Sequence, residues 1–298
     1  METLFLYLNG DRGLKVLEAL SKLNIYNIFV FKNISISSEK VVSKLKEFKN
    51  NKSIHFKTVK NINSKEHLLY VKKINPDISI VAGFSQIFND EIINAPKFGT
   101  INLHAGPLPK YRGGSPLNWQ IINGEKIIGL SIIQMNKGID TGEVLCQSSF
   151  ELKISESILD VHQKTNLFFS QMVLDVLNKI KNKSIIFLKQ DESKATYWHQ
   201  RSDLDGKISW KNMTALQAHN FIRALSKPYN GSYTFYLNHK LRIFSSKLTT
   251  KFFHGSPGRV VKIKDEKLLV ICADKGLYIE EYKFEDYSGD LINGMHLI

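Results

Sequence analysis

The chain has 298 residues, 43% of them hydrophobic and 23% charged, which is ample apolar material for a large domain with a smaller appendage. Forty-one basic side chains against 28 acidic ones leave a net charge of +13, which favours anionic partners: nucleic acid, nucleotides, phosphosugars or polyglutamylated cofactors. No apolar run approaches the roughly 18–20 residues of a membrane helix. The two cysteines, Cys146 and Cys272, lack disulfide-framework or metal spacing and fit a reducing, cytoplasmic setting.

In chain order, TLFLYLN reads as a buried strand rather than a signal peptide, because no basic start precedes it. GDRGLKVLEALSKL follows as a helix, with Leu14, Leu17, Leu20 and Leu23 at helical spacing behind Asp11 as N-cap. IYNIFVF, IHFKTV and PDISIVAG read as strands; SSEKVVSKLKEFKN and SKEHLLYVKKI read as amphipathic helices. This alternation argues for βαβ units and a mostly parallel sheet covered on both faces.

IIGLSIIQM and GEVLCQSSFEL then form two strands across the turn NKGIDTGE. A long helix is predicted from about Ser155 to Ile180, burying Val161, Leu167, Val173 and Leu177. The polar stretch KQDESKATYWHQRSDLDGKISW reads as a linker, and ALQAHNFIRALS as one more helix. GSYTFYL, KLRIFSSKL, GRVVKIK, KLLVICA and GLYIEEYKF are short strands between Gly/Pro turns, which suggests a small barrel or sandwich.

The chemistry concentrates in TINLHAGPLPKYRGGSPLNWQIINGE, Thr100 to Glu125. Alternation along a strand puts Asn102 and His104 on one face, and in open α/β sheets ligands bind at the carboxyl ends of strands. A carboxamide beside an imidazole can serve a developing oxyanion. Asp140, in a loop that Gly138 and Gly142 let approach closely, is the candidate that orients the ring. Pro107, Pro109 and Pro116 stiffen the loop, and Gly113 and Gly114 permit backbone conformations that side chains would block. His162, His199, His219, His239 and His254 have no evident partners and read as surface or packing residues.

Asn-x-His, then Leu-Pro-x-x-Arg-Gly-x-x-Pro, then Gly-x-Asp-Thr-Gly, as INLHAGPLPKYRGGSP and KGIDTG carry them, closely resemble the formyltransferases that use 10-formyltetrahydrofolate. PDISIVAGFSQIF, RSDLDGKISW, FIRALSKPYNG and the β-rich tail extend the likeness. The resemblance implies a Rossmann-like α/β catalytic domain over residues 1–190, a linker over 191–210 and a β-rich, OB-like domain over 211–298. It implies Asn102, His104 and Asp140 as catalytic residues, with hydrogen bonds from Asn102 and protonated His104 to an oxyanion and no metal. A pterin pocket would lie around Phe84, Ser85, Gln86, Ile87 and Phe88 and around Met135, Gly138 and Ile139. Asn9, Arg12, Arg112, Gly113, Gly114 and Ser115 would face the amine substrate, with Arg112 pairing a carboxylate as the plainer reading.

Within the family the acceptors differ. GGSPLNWQIINGE, KPYNGSYTF and FSQIF resemble the branch that formylates an amino sugar on a nucleotide, UDP- or dTDP-linked, such as a 4-amino-4,6-dideoxyhexose. Such products feed lipopolysaccharide or other glycan synthesis. On that reading Tyr197 or Trp210 stacks on the base and Arg201 meets a phosphate, core packing being the other reading of the two aromatics. The +13 charge and the barrel-like tail favour methionyl-tRNA instead. A non-catalytic basic module is the third reading. The β-rich tail is the expected face of a homodimer.

Overall fold

The computed structural model describes residues 2–33, 39–263 and 267–298. The first half runs β1 (Thr3–Leu8), α1 (Gly10–Ser21), β2 (Asn27–Asn33), α2 (Glu39–Glu47), β3 (Ile54–Val59), α3 (Lys65–Ile74), β4 (Ile78–Ala82), α4 (Asp90–Ile93) and β5 (Thr100–His104). It continues with β6 (Arg112–Gly113), α5 (Pro116–Ile122), β7 (Ile127–Gln134), β8 (Val144–Glu151), α6 (Ile158–Lys181) and β9 (Tyr197–Trp198). The remainder is α7 (Ala215–Leu225), β10 (Ser232–Tyr236), β11 (His239–Leu248), β12 (Val260–Ile263), β13 (Lys267–Ile271) and β14 (Gly276–Phe284).

The chain divides into two compact units. Unit 1 comprises Met1–Gly113, Gly129–Phe150 and Gln163–Tyr197; unit 2 comprises Gly114–Ile128, Glu151–His162 and Trp198–Ile298. The units are therefore interleaved in sequence, unlike a simple division at 190 and 211. Residues 191–210 are structured, with 3-10 turns at Glu192–Lys194 and Asp203–Gly206.

In unit 1 the sheet order is β3-β2-β1-β4-β5-β7-β8. β3 to β5 pair in parallel and β7 joins β5 antiparallel. β1 and β4 are apolar almost throughout because both of their faces are covered. The strand order reverses between β1 and β4, the place where doubly wound sheets open a crevice at their carboxyl ends. Gly13 brings α1 onto β1: a Cβ there would lie 2.2 Å from Leu8 Cβ.

Three local expectations need correction. Asn9, not Asp11, is the N-cap of α1, and Leu23 lies past the helix, 41% exposed. Leu167 on α6 is 58% exposed, because the buried stripe runs through Val161, Thr165, Phe169, Met172, Val173, Val176 and Leu177, and 167 points away from it. His219 packs in the core, 8% exposed, as the packing reading expects, but it has partners: its ring nitrogens lie 3.0 Å from Ser246 Oγ and 3.0 Å from Ile154 O. Two predicted segments run partly beyond the described residues: Ser37 and Ser38 ahead of α2, and Lys264 after β12.

Unit 2 holds a five-stranded antiparallel sheet, β10-β11-β14-β13-β12. The segment 294–298 closes it toward a barrel. Leu297 N–H bonds Gly258 O at one edge, and Ile298 N–H bonds Phe235 O at the other. α7, capped by the Thr214 and Gln217 box, buries Ala215, Ala218, Phe221, Ile222 and Leu225 in that unit's core. Among the described residues no helix is long and apolar enough to cross a membrane, and no group of three or more His, Cys, Asp or Glu is placed to hold a metal.

One buried histidine couples the unit 1 core to pH. His67 Nε2 lies 3.0 Å from Tyr7 Oη, and burial, helped by Lys57, pushes the His67 pKa down from 6.5 to about 4. The folded pKa is the lower one, so the unfolded chain takes up the proton first. Its stability contribution is complete above about pH 6.5 and is lost toward pH 4. Unfolding in urea should show a loss of about 2 kcal/mol between pH 7 and pH 4.5 from this group. His67→Gln, which keeps a hydrogen-bond partner for Tyr7, should flatten that slope; an unchanged slope would remove His67 as its source.

Candidate active site

The three predicted catalytic residues converge on one carboxylate. β5 ends with His104 buried and Asn102 half-buried. Asp140 arrives from the turn after β7 with a left-handed backbone, φ 54°. Its Oδ2 lies 3.3 Å from His104 Nδ1 and accepts from the Gly113 N–H at 2.9 Å. Its Oδ1 accepts a longer hydrogen bond, 3.4 Å, from Asn102 Nδ2.

The other His104 nitrogen, Nε2, is 2.7 Å from the Tyr111 carbonyl and must donate to it. Both ring nitrogens are thus engaged within the protein. Burial lowers the His104 pKa; Asp140 and the Tyr111 carbonyl oppose that shift, while Arg12 and Arg112 add to it.

The Asp140 turn is clamped from behind. Gln190 Nε2 donates to Asp140 O and to Gly142 O, both at 2.7 Å. Gln190 Oε1 accepts from Arg112 Nε and Nη2 at 3.1 and 2.8 Å. Arg112 itself is fully buried and forked onto Glu192, Nη1 to Oε2 at 2.8 Å and Nη2 to Oε1 at 2.6 Å, and it also donates to Tyr197 Oη at 2.6 Å. Every N–H of this guanidinium has a partner within the protein, which includes the carboxylate pairing that the plainer reading expects. Gln190 and Glu192 were not foreseen. They sit in a polar stretch without periodicity, and only the fold brings them against a loop about 80 residues away.

The pterin candidates divide into two kinds. Phe84 and Phe88 are interior residues, packed edge-on to Tyr7 with ring centroids 5.7 and 5.0 Å away. Gln86 is also committed: its Oε1 accepts from the Ile62 N–H at 2.7 Å and its Nε2 donates to Lys60 O at 2.9 Å. Met135 packs partly buried against the same core. Exposed apolar surface remains at Ile87 (83%) and Ile139 (62%), one in each loop, with Ser85 and Gly138 beside them. In these loops the Ile87 carbonyl accepts from Asn63 Nδ2 at 2.8 Å and the Gly138 N–H donates to Asn136 Oδ1 at 3.0 Å.

At the carboxyl end of β1, the Asn9 N–H bonds Ala82 O at 3.3 Å. Arg12 donates to Leu103 O at 3.1 Å and lies over the Phe169 ring, which anchors it behind β5. In unit 2, Gly114 has no room for a side chain, since a Cβ would lie 2.3 Å from Gln200 Cα. Ser115, at φ 51°, accepts from the Arg201 N–H at 3.1 Å through its hydroxyl. Trp210 is a core residue, 4% exposed, whose Nε1 donates to Thr234 Oγ1 at 3.0 Å, so it has no face left for stacking. Tyr197 keeps an exposed ring, although Arg112 holds its hydroxyl.

Comparison with known proteins identifies the family. Residues 22–177 match the formyl transferase family and residues 202–288 its C-terminal domain. A methionyl-tRNA formyltransferase of Caldanaerobacter subterraneus subsp. tengcongensis is 38% identical over 223 residues, 75% of this chain and 71% of that protein. Among solved structures, the sugar 3N-formyl transferase WlaRD, crystallised with dTDP and 5-N-formyl-THF, superposes with a TM-score of 0.70 at 20% identity over 97% of this chain and 99% of its own. A variant of HypX from Aquifex aeolicus gives 0.68 at 16% identity over 96% of this chain, which spans only 45% of that longer protein. With the family's two parts matched in order along most of its length, this chain belongs to the formyl transferases.

Proposed function

We propose that the protein transfers a formyl group from 10-formyltetrahydrofolate to the primary amine of a nucleotide-linked amino sugar, with Asn102, His104 and Asp140 as the catalytic set. The donor supplies an activated formyl carbon. Asn102 Nδ2 donates a hydrogen bond where negative charge builds on the formyl oxygen. The Asp140–His104 pair takes the proton that the attacking amine loses and returns it to the departing nitrogen. The Gly113 N–H fixes Asp140 from the other side and leaves one carboxylate oxygen toward Asn102.

The acceptor reading rests on one observation. Two motifs that suggested a sugar acceptor, GGSP and KPYNG, line a single hollow of about 240 Å³ inside unit 2, through Ser115, Pro228, Tyr229, Asn230 and Gly231. Arg201 lines it too. One of its guanidinium nitrogens, Nη2, donates to Asp205 O at 2.8 Å. The other, Nη1, is buried without a partner among the described residues. A compact, polar hollow with an unspent guanidinium N–H suits a phosphate or sugar hydroxyl. Methionyl-tRNA is the second reading, favoured by relatives of that name at 27–38% identity.

A folate-release assay over UDP- and dTDP-linked amino sugars and methionyl-tRNA separates the two. Turnover with an amino-sugar nucleotide and none with the tRNA is expected; formylation of the tRNA alone would overturn the sugar assignment. Arg201→Ala should raise the KM for the sugar nucleotide roughly tenfold or more, the cost of one charged hydrogen bond, with little change in donor KM.

A further inference from the structure

Unit 1 contains a second concave surface, of about 570 Å³, between β3 and α3. Its floor is aromatic, formed by Phe31, His67 and Tyr70, and its rim carries Lys57, Lys60 and Lys73 against a single acid, Glu66. The Lys57 ammonium sits 3.8 Å above the Tyr70 ring. Among the described residues no carboxylate pairs with any of these three lysines. The mechanism uses none of them, and the field is strong enough to help depress His67.

The groove is joined to the loop that carries Ile87. Gln86 bonds Lys60 O and the Ile62 N–H, Asn63 Nδ2 donates to Ile87 O at 2.8 Å, and the Asn89 N–H donates to Asn63 Oδ1 at 2.9 Å. One side chain's length thus separates the proposed folate loop from the groove's basic rim. A ligand that follows that path leaves the apolar loop and meets unpaired ammonium groups spaced along an open trough. That pattern fits a flexible chain with repeated carboxylates better than a single phosphate, which would call for a closed cradle of donors.

We infer that the Lys57–Lys60–Lys73 groove binds the poly-γ-glutamyl tail of the folate donor, an inference that rests on the donor assigned above. The native enzyme should then bind tetrahydrofolate pentaglutamate about tenfold more tightly than the monoglutamate, given three exposed charge pairs of modest strength each. The preference should shrink as salt is raised, since the lysines are solvent-exposed.

The test is calorimetric titration of tetrahydrofolate monoglutamate and pentaglutamate into the native protein and into K57Q/K60Q/K73Q, with KM ratios for the two formylated donors measured in parallel. The triple variant should bring the two affinities to within about twofold of each other. Equal binding of both folates by the native protein, or a preference that survives the triple substitution, overturns the inference. Failure of the native protein to bind even the monoglutamate would instead remove the donor assignment. A triple variant whose acceptor KM rises while its tail preference is unchanged would assign the lysines to the acceptor and overturn the proposal equally.

Discussion

His104→Ala should lower kcat by about three orders of magnitude, as loss of a positioned acid–base group does, while the protein remains folded. Asn102→Ala should cost roughly 10²–10³ in kcat, the range for one oxyanion donor. Asp140 is the more informative position, because its carboxylate meets three groups. Asp140→Asn keeps an acceptor for the Gly113 N–H but removes the charge that draws a proton onto His104. A kcat loss near that of His104→Ala, with donor and acceptor KM within a few-fold of native, is expected if the pair acts as one proton carrier. Circular dichroism and thermal melts check folding, with His104→Gln as a second variant should the alanine leave too large a gap. Near-native kcat in all three positions would end the catalytic reading.

Gly142→Ala is the second substitution with a large expected effect, although the residue touches no substrate. A Cβ at Gly142 would sit 1.6 Å from Gln134 O, a backbone atom of β7 that cannot swing away. The turn must move, and Asp140, two residues earlier, moves with it. A shift of about 1 Å in a reacting group can cost on the order of 10² in rate, so kcat should fall about that much with smaller changes in KM. Overpacking of this kind costs about 1–3 kcal/mol of stability, and urea melts should register it. Gly255→Ala is the control, since the nearest atom to its Cβ would be Ile271 Cγ1 at 3.6 Å, an ordinary contact. A Gly142→Ala enzyme that is destabilised but fully active would uncouple the turn from catalysis.

The unequal legibility of the site follows from distance along the chain. Asn102 and His104 are readable because strand alternation fixes their shared face, and Asp140 because glycines flank it in a tight turn. The longer strands of both units are readable because apolar runs and turn residues are local signals, whereas the two-residue strands β6 and β9 carry none. Gln190 and Glu192 have no such signal: each is a polar side chain in a polar stretch, given meaning only by the Arg112 guanidinium it holds. Trp210 illustrates the opposite difficulty. An aromatic next to a motif can stack on a ligand or fill a core, and only Thr234 beneath its indole N–H decides for the core. Leu167 failed as a core residue because helical spacing narrows a position to a face without saying which face a neighbour covers.

The interleaving of the two units bears on how such a protein can be recombined with a relative. Unit 2 draws on 114–128 and 151–162 as well as on the chain from 198 onward, and within it Asn118 of α5 reaches the Ala224 carbonyl of α7 at 2.8 Å. A single crossover near residue 198 would transplant α7 without the α5 that its backbone carbonyl is matched to. A chimaera with a relative that keeps unit 2 whole must therefore exchange three stretches together.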